Sequence, residues 1–101
     1  MNSAQPRLTP QTAHVLDVLT QNGALSGAEI GRHTKLKSGT LYPLLLRLEQ
    51  AGWLSSAWEE GNPSELGRPR RRFYTVTGAG RSFAREAATA QAALFGRLAL
   101  S

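Results

Sequence analysis

The chain has 101 residues and contains no cysteine. Without cysteine there are no disulfide bonds, thiolate metal ligands or cysteine nucleophiles, and such a composition is typical of an intracellular chain. No apolar run approaches the roughly 20 residues that a membrane-spanning helix needs, and residues 1–10 lack the apolar stretch of a signal peptide. The sequence therefore predicts a small cytoplasmic protein that makes no contact with a membrane.

Acidic residues are scarce, and their positions leave two long stretches without a negative charge. Seven Asp and Glu stand against twelve Lys and Arg, which gives a formal net charge of +5. Residues 30–48 and 66–85 contain no acid but hold ten of the twelve cations. Four arginines fall in the five positions from Arg68 to Arg72, where they repel one another unless a polyanion neutralises them. This placement favours a phosphate-binding surface, with an ordinary solvated surface as the alternative.

Groups that could support catalysis are also few. The two histidines, His14 and His33, have no acid at the spacing of a metal site or a catalytic triad. The segment from Gly78 to Gly80 lacks the third glycine and the preceding βαβ context of a dinucleotide-binding loop. The sequence therefore predicts no enzymatic activity and no bound metal or cofactor.

Local signals predict two short helices at the start of the chain. Thr9 and Pro10 form a helix start, and an apolar stripe follows at the helical period until Asn22. Ser26 is followed by Glu29 at the spacing of a capping box, which predicts a second helix that runs to about residue 34.

A third helix is predicted by a stripe of leucines between Ser38, the candidate N-cap, and Gly52, which ends the helix. The stripe has the i, i+3, i+4, i+7 spacing of a buried face and comprises Leu41, Leu44, Leu45 and Leu48. Pro43 falls inside this helix, and we expect a bend or a loosened first turn there because proline removes one intrahelical hydrogen bond.

The apolar period changes after Gly52 to the alternation of a β-strand. One strand is predicted from Trp53 to Trp58 and a second from about Arg70 to Val76. Residues 59–69, rich in glycine and proline, are expected to form a turn or a long hairpin loop. Both tryptophans are assigned to packing, because a strand directs them to opposite faces.

A long last helix is predicted from about Ala79 to Ala99, roughly 30 Å at the standard rise. Its apolar stripe is too long for the preceding residues to cover, which favours a homodimer. The residues expected at the dimer contact are Phe83, Ala87, Ala90, Leu94, Phe95 and Leu98. The chain is therefore divided into a first domain at residues 1–78 and a dimerisation helix at residues 79–101.

This order of elements is typical of a winged helix-turn-helix: mainly α, with a two-stranded β wing and an added long C-terminal helix. In such a fold the third helix enters the major groove of double-stranded DNA and the hairpin contacts the neighbouring backbone. Both basic stretches fall on those two elements. The predicted DNA contacts are Lys35, Lys37, Ser38, Thr40, Tyr42, Arg47, Arg68, Arg70, Arg71 and Arg72.

The motifs of these elements resemble those of one known family. Residues 38–45 (SGTLYPLL), 47–49 (RLE) and Gly52 are similar to the recognition helix of PadR-type transcriptional regulators. The similarity continues through residues 67–74 (GRPRRRFY), Thr77 and residues 80–81, so that it covers roughly residues 8–83. The resemblance implies a DNA-binding homodimer, usually a repressor, of the short branch with a single C-terminal helix that packs across the partner.

The expected function is a sequence-specific, homodimeric regulator, most simply a repressor, that reads an inverted-repeat operator and lies on the nucleoid when bound. Two alternatives stay open: a winged helix that docks an acidic protein, and a non-specific architectural DNA binder. A small-molecule effector has no support in the residues, because the last helix lacks the paired tryptophans with which some short relatives bind flat aromatic drugs.

Overall fold

The computed structural model describes the backbone of residues 9–100 and the side chains of residues 9–90 and of Ala92. Over this range the structure has five helices and three short strands, and the predicted fold class, mainly helical with a small β wing, is confirmed. The elements in chain order are α1 (Pro10–Asn22), β1 (Leu25–Ser26), α2 (Gly27–Thr34), α3 (Ser38–Gln50), β2 (Leu54–Trp58), α4 (Pro63–Leu66), β3 (Arg72–Val76) and α5 (Gly78–Leu100).

The first two helices begin as their capping residues predict. The Thr9 side chain accepts a hydrogen bond from the Thr12 backbone N–H at the start of α1, with Pro10 in the first turn. The capping box of α2 is complete, because Ser26 Oγ accepts from the Glu29 N–H and the Glu29 carboxylate accepts from the Ser26 N–H. These contacts satisfy backbone donors that have no partner within a helix.

Helix α3 begins at Ser38, one residue earlier than a Ser38 cap would place its start. Lys37 occupies the N-cap position without a side-chain cap bond, so the assignment of Ser38 as the cap is wrong. The cause is the preceding turn: Lys35 is left-handed at φ 64° and Lys37 is extended, so that helical conformation starts at Ser38. The helix then continues through Pro43 to Gln50.

The core lies between the three N-terminal helices and the inner face of the sheet. All four leucines of the α3 stripe are buried, and they pack with apolar residues of the neighbouring elements. These neighbours are Val15, Leu16, Val18, Leu19, Leu25, Ile30, Trp53, Leu54, Tyr74 and Val76. Burial of this cluster fixes α3 with its opposite side toward solvent, which is the orientation that a DNA-reading helix requires.

The sheet has three strands rather than the two predicted, in the antiparallel order β1-β3-β2. Strand β1 has only two residues, too few to show an alternating pattern, and pairs Leu25 with Tyr74 and Ser26 with Phe73. The second hairpin strand starts at Arg72, two residues later than predicted. Residues 59–69 contain the one-turn helix α4, because Asn62 caps its first turn with a hydrogen bond from the Ser64 N–H.

The two tryptophans have opposite environments. Trp53 is 5% exposed and stacks on Phe83 with the ring centroids 3.8 Å apart, which joins the start of α5 to the core. Trp58 is 61% exposed and lies outside the core, and its contact is within the wing, where the Arg72 guanidinium is 5.6 Å from its ring centroid. It lies at the outer end of the hairpin, where β2 extends beyond the core.

Helix α5 spans slightly more than the predicted range. Of the residues expected at the dimer contact, the side chains of Leu94, Phe95 and Leu98 lie outside those the structure describes. None of the helices described is long and apolar enough to cross a membrane.

Candidate nucleic-acid interface

The predicted contacts of the turn before α3 and of α3 itself are all exposed. Lys35 and Lys37 flank the tight turn between α2 and α3. The four predicted contact residues of α3 itself lie on its outward side and flanks. These four are Ser38, Thr40, Tyr42 and Arg47. Tyr42 is 47% exposed and Leu46, one turn further on, is 56% exposed. Helix α3 therefore presents hydroxyl, cationic and apolar groups together on its solvent side.

The four arginines of the wing differ in their surroundings. Arg70, Arg71 and Arg72 are exposed, whereas Arg68 is half-buried in a two-pronged contact with Glu59. The Arg68 Nη1 and Nη2 atoms donate to the two carboxylate oxygens of Glu59 at 2.7 and 2.8 Å. The Arg71 backbone N–H donates to the same carboxylate at 3.2 Å. Hydrogen bonds from Arg68 and from the Arg71 backbone lower the pKa of Glu59 to about 2.

Arg72 joins the wing to the end of α3. Its Nε donates to Ser56 Oγ at 2.8 Å, and its Nη2 lies 3.3 Å from Glu49 Oε2. The Ser56 hydroxyl donates to the same Glu49 oxygen at 2.7 Å, which closes a three-residue network between α3, β2 and β3. The guanidinium also lies 5.6 Å from the ring centroid of Trp58, within cation–π range.

A groove of ≈ 360 Å³ runs between α2, α3 and the wing. It is lined by Ser26, Gly27, Ala28, Tyr42, Trp58, Arg70, Arg71, Arg72 and Tyr74. The structure thus brings Tyr42 of α3 beside three of the wing arginines, while Lys35, Lys37, Ser38, Thr40, Arg47 and Arg68 are not part of the groove lining. Positive charge and aromatic faces in one groove suit a phosphate–sugar chain.

Sequence reasoning missed Trp58 and Tyr74 as parts of this groove. Trp58 pairs directly with Arg72 across the hairpin, and Ser56 pairs with Tyr74. Cross-strand partners point to the same face of a sheet. The correct hairpin register would therefore have placed both aromatic residues beside Arg72.

A second groove, of ≈ 490 Å³, separates α1 from α5. Its lining is Ala13, Asp17, Thr20, Arg81, Ala84, Arg85, Ala87 and Ala88, most of them short side chains. Among the predicted dimer residues whose side chains are described, Phe83 and Ala87 are half-buried and Ala90 is exposed. Phe83 is already in contact with Trp53 of the same chain.

Metal-binding side chains are dispersed over the described structure. Over residues 9–90, where side chains are placed, no three histidine, aspartate or glutamate residues cluster so as to hold a metal ion. The arrangement is one of cations and aromatic rings on a winged-helix surface.

This fold is that of a winged-helix protein with a groove lined by arginines and aromatic rings. The model of the transcriptional regulator PadR-like family matches residues 14–86, and the chain belongs to that family. A search of curated proteins gives no match.

Several solved structures are similar to the chain, and two of the three described here are of PadR-type proteins. A PadR-like transcription factor from Bacteroides fragilis is 28% identical with a TM-score of 0.75, and the match covers 86% of this chain and 84% of that one. A PadR family regulator from Eggerthella lenta is 27% identical with a TM-score of 0.68, over 84% and 77% of the two chains. The protein smu.1704 from Streptococcus mutans is 26% identical with a TM-score of 0.70, over 93% and 86%.

Proposed function

We propose that the chain is a homodimeric, sequence-specific DNA-binding repressor that reads an inverted-repeat operator. The observation that carries the proposal is the shared groove, in which Tyr42 of α3 faces the arginines of the wing. Helix α3 enters the major groove of double-stranded DNA, and the wing contacts the backbone beside it. The function rests on both elements acting on one duplex.

The two elements have different tasks in this proposal. Thr40 and Tyr42 lie near the beginning of α3, where base edges are within reach, so they contribute to sequence preference. The cations of the turn and the wing contact phosphates and contribute affinity that carries no sequence information. Substituting Thr40 therefore changes which DNA is preferred, whereas substituting Arg70 weakens binding to all DNA.

The dimer rests on α5 in this proposal. The helix has 23 residues, about 34 Å at 1.5 Å per residue, and its contacts with the core are made at its beginning by Phe83 and Ala84. The groove between α1 and α5 is lined mostly by short side chains, and four alanines among them suit the close approach of a partner helix. Residues 1–78 then form the DNA-binding domain and residues 79–101 the dimerisation helix, as the sequence predicts.

DNA binding is tested by fluorescence anisotropy with the DNA upstream of the chain's own gene and a shuffled copy, titrated through salt. A clear preference for the native sequence that survives about 0.15 M salt is expected. With three or four phosphate contacts per protomer, the logarithmic salt slope is on the order of −5 to −7. Equal binding of both sequences supports an architectural protein instead, and no binding at any salt supports a protein-docking module.

The dimer is tested by light scattering on the full chain and on Leu94→Glu, which places a charge on the predicted apolar stripe of α5. The unsubstituted protein is expected to have twice the monomer mass. Leu94→Glu is expected to have the monomer mass and to lose the avidity for a paired site. Footprinting on the preferred DNA is expected to give two half-sites whose centres lie about 34 Å, or a multiple of it, apart. A single unrepeated footprint contradicts the two-fold arrangement.

A further inference from the structure

The arginines of the wing fall into two pairs that differ in their partners. Arg68 and Arg72 each hold a carboxylate of the same chain, Glu59 and Glu49 respectively. Arg70 and Arg71 make no ion pair with any side chain that the structure describes, and both are exposed in the groove beside Tyr42. The four positions look equivalent in the sequence but are not equivalent in the fold.

Arg68 closes the base of the wing loop. Its guanidinium and the Arg71 backbone N–H share the Glu59 carboxylate, and the Glu59 N–H donates to the Arg71 carbonyl at 2.7 Å. The thirteen-residue connection between β2 and β3 is thereby closed immediately before Arg72. These bonds fix the backbone at Arg71, and the side chains of Arg70 and Arg71 project from this fixed part of the loop.

Arg72 fixes the angle between the wing and α3. The Glu49 carboxylate comes from the last turn of α3, Ser56 from β2 and the guanidinium from β3, so the network spans three elements. Its guanidinium is also within cation–π range of Trp58 and of Tyr74. Because the guanidinium contacts a hydroxyl, a carboxylate and two rings, it acts as a structural cross-link rather than as a free positive charge.

We infer that Arg68 and Arg72 are positioning residues, which hold the wing against α3, and that Arg70 and Arg71 carry the wing's phosphate contacts. The inference rests on the proposed DNA binding and refines it. The acids Glu59 and Glu49 then support DNA binding, although each carries a charge of the same sign as the DNA.

The test compares the two members of each ion pair, Glu59 with Arg68 and Glu49 with Arg72. Replacing either member breaks the same contact, but the two replacements change the net charge in opposite directions. Glu59→Gln and Arg68→Gln are both expected to weaken DNA binding, about three- to tenfold at one salt concentration, and both leave the logarithmic salt slope unchanged. Glu49→Gln and Arg72→Gln are expected to behave in the same way. Arg70→Gln is expected to flatten the slope by about 0.9 per protomer, since one phosphate contact is lost.

Lysine substitutions separate a fork-shaped contact from a simple positive charge. Arg68→Lys keeps the charge but loses the two-pronged bond to Glu59, so it is expected to bind DNA as weakly as Arg68→Gln. Arg70→Lys keeps a phosphate contact and is expected to retain most of the affinity and the full slope. Glu60→Gln is the matched control for Glu59→Gln, because Glu60 is exposed and pairs with no cation in the described structure.

Amide hydrogen exchange on the DNA-free protein tests the positioning role independently of DNA. Arg68→Gln and Glu59→Gln are each expected to speed exchange at the Glu59 and Arg71 amides by about tenfold or more, and Glu60→Gln to leave both unchanged. If the unsubstituted protein bound no DNA, the proposed function would be wrong. The exchange rates would still decide whether the Glu59–Arg68 ion pair holds the wing loop. Unchanged exchange, or tighter DNA binding with a steeper salt slope in Glu59→Gln, would overturn the inference.

Discussion

Gly27 lies directly against the ring of Tyr42. A Cβ atom placed on Gly27 would be 2.6 Å from the Tyr42 hydroxyl oxygen and 2.7 Å from its Cε1 atom. Gly27 is the first residue of α2, so the missing side chain lets the Tyr42 ring lie over the beginning of that helix. This contact sets where α3 presents its tyrosine in the groove beside the wing.

Gly27→Ala is expected to displace Tyr42 without unfolding the protein. The clashing atoms are the far end of a side chain that is 47% exposed, and alanine is a better helix former than glycine. Stability is therefore expected to change by less than about 1 kcal/mol in thermal unfolding. Affinity for the preferred DNA is expected to fall to the level of Tyr42→Ala, measured by anisotropy.

Gly78→Ala is the matched control for this substitution. No atom lies within 4 Å of a Cβ placed on Gly78, which is the first residue of α5 as Gly27 is of α2. The control is expected to keep both stability and DNA affinity. Full DNA affinity in Gly27→Ala would show that the position of Tyr42 does not matter for binding.

The helices and their buried faces could be predicted from the sequence because both are local properties. The leucine stripe of α3 and the Ser26–Glu29 capping box are formed by residues three or four positions apart, and the structure contains both. Strand β1 was not predictable in this way, because its two residues become a strand only by pairing with Phe73 and Tyr74, far along the chain.

Gly80 also lies against a neighbouring residue, but here the nearest atom belongs to the backbone. A Cβ there would overlap the Trp53 carbonyl oxygen and lie 2.8 Å from Val76 Cγ2. The same carbonyl accepts the Thr77 N–H at 3.0 Å, so it cannot move away without losing that hydrogen bond. Gly80→Ala is therefore expected to destabilise the protein by about 1–3 kcal/mol, despite the better helix propensity of alanine.

Chemical denaturation measures the effect of Gly80→Ala against Gly78→Ala, which lies two residues away in the same helix. Only the Gly80 substitution is expected to lower the denaturation midpoint. Equal midpoints would mean that the beginning of α5 can move away from Trp53 at little cost.

The wing shows where prediction from the sequence stops. Arg68 to Arg72 form a cluster of positive charge in the sequence, and repulsion within it indicates a polyanion. The structure shows that Glu59 and Glu49 already neutralise two of these arginines. Glu49 lies 23 positions from Arg72, so only the packing of α3 against the hairpin brings the two together.

The pairing of Glu59 with Arg68 gives the wing a defined pH dependence. Because the folded-state pKa of Glu59 is about 2 against an ordinary value of 4.5, its contribution to stability is complete above pH 4.5 and is lost between pH 4.5 and 2. Carboxyl NMR titration is expected to find Glu59 still ionised near pH 3. In Arg68→Gln its midpoint is expected to move back toward 4.5, and an unchanged midpoint would show that the bond to Arg68 does not hold the carboxylate ionised.

Leu46 is a candidate for reading a thymine methyl group. Its side chain is 56% exposed. Leu46 lies one turn beyond Tyr42 and therefore on the same side of α3. It thus adds an apolar group to the surface that is proposed to enter the major groove. Replacing one operator thymine with deoxyuridine removes only its methyl group. Burial of one such group is worth about 0.8 kcal/mol, so the full chain is expected to bind the uracil DNA about fourfold more weakly at one position.

In Leu46→Ala this preference for thymine is expected to disappear, while the preference at bases contacted by Thr40 remains. Anisotropy titrations of both proteins on both DNAs form a double-mutant cycle, whose coupling energy isolates the contact between Leu46 and the methyl group. Deoxyuridine placed outside the half-sites is the control and is expected to have no effect on either protein. If the full chain bound thymine and uracil DNA equally at every operator position, Leu46 would contact no methyl group, and its exposure on α3 would have another cause.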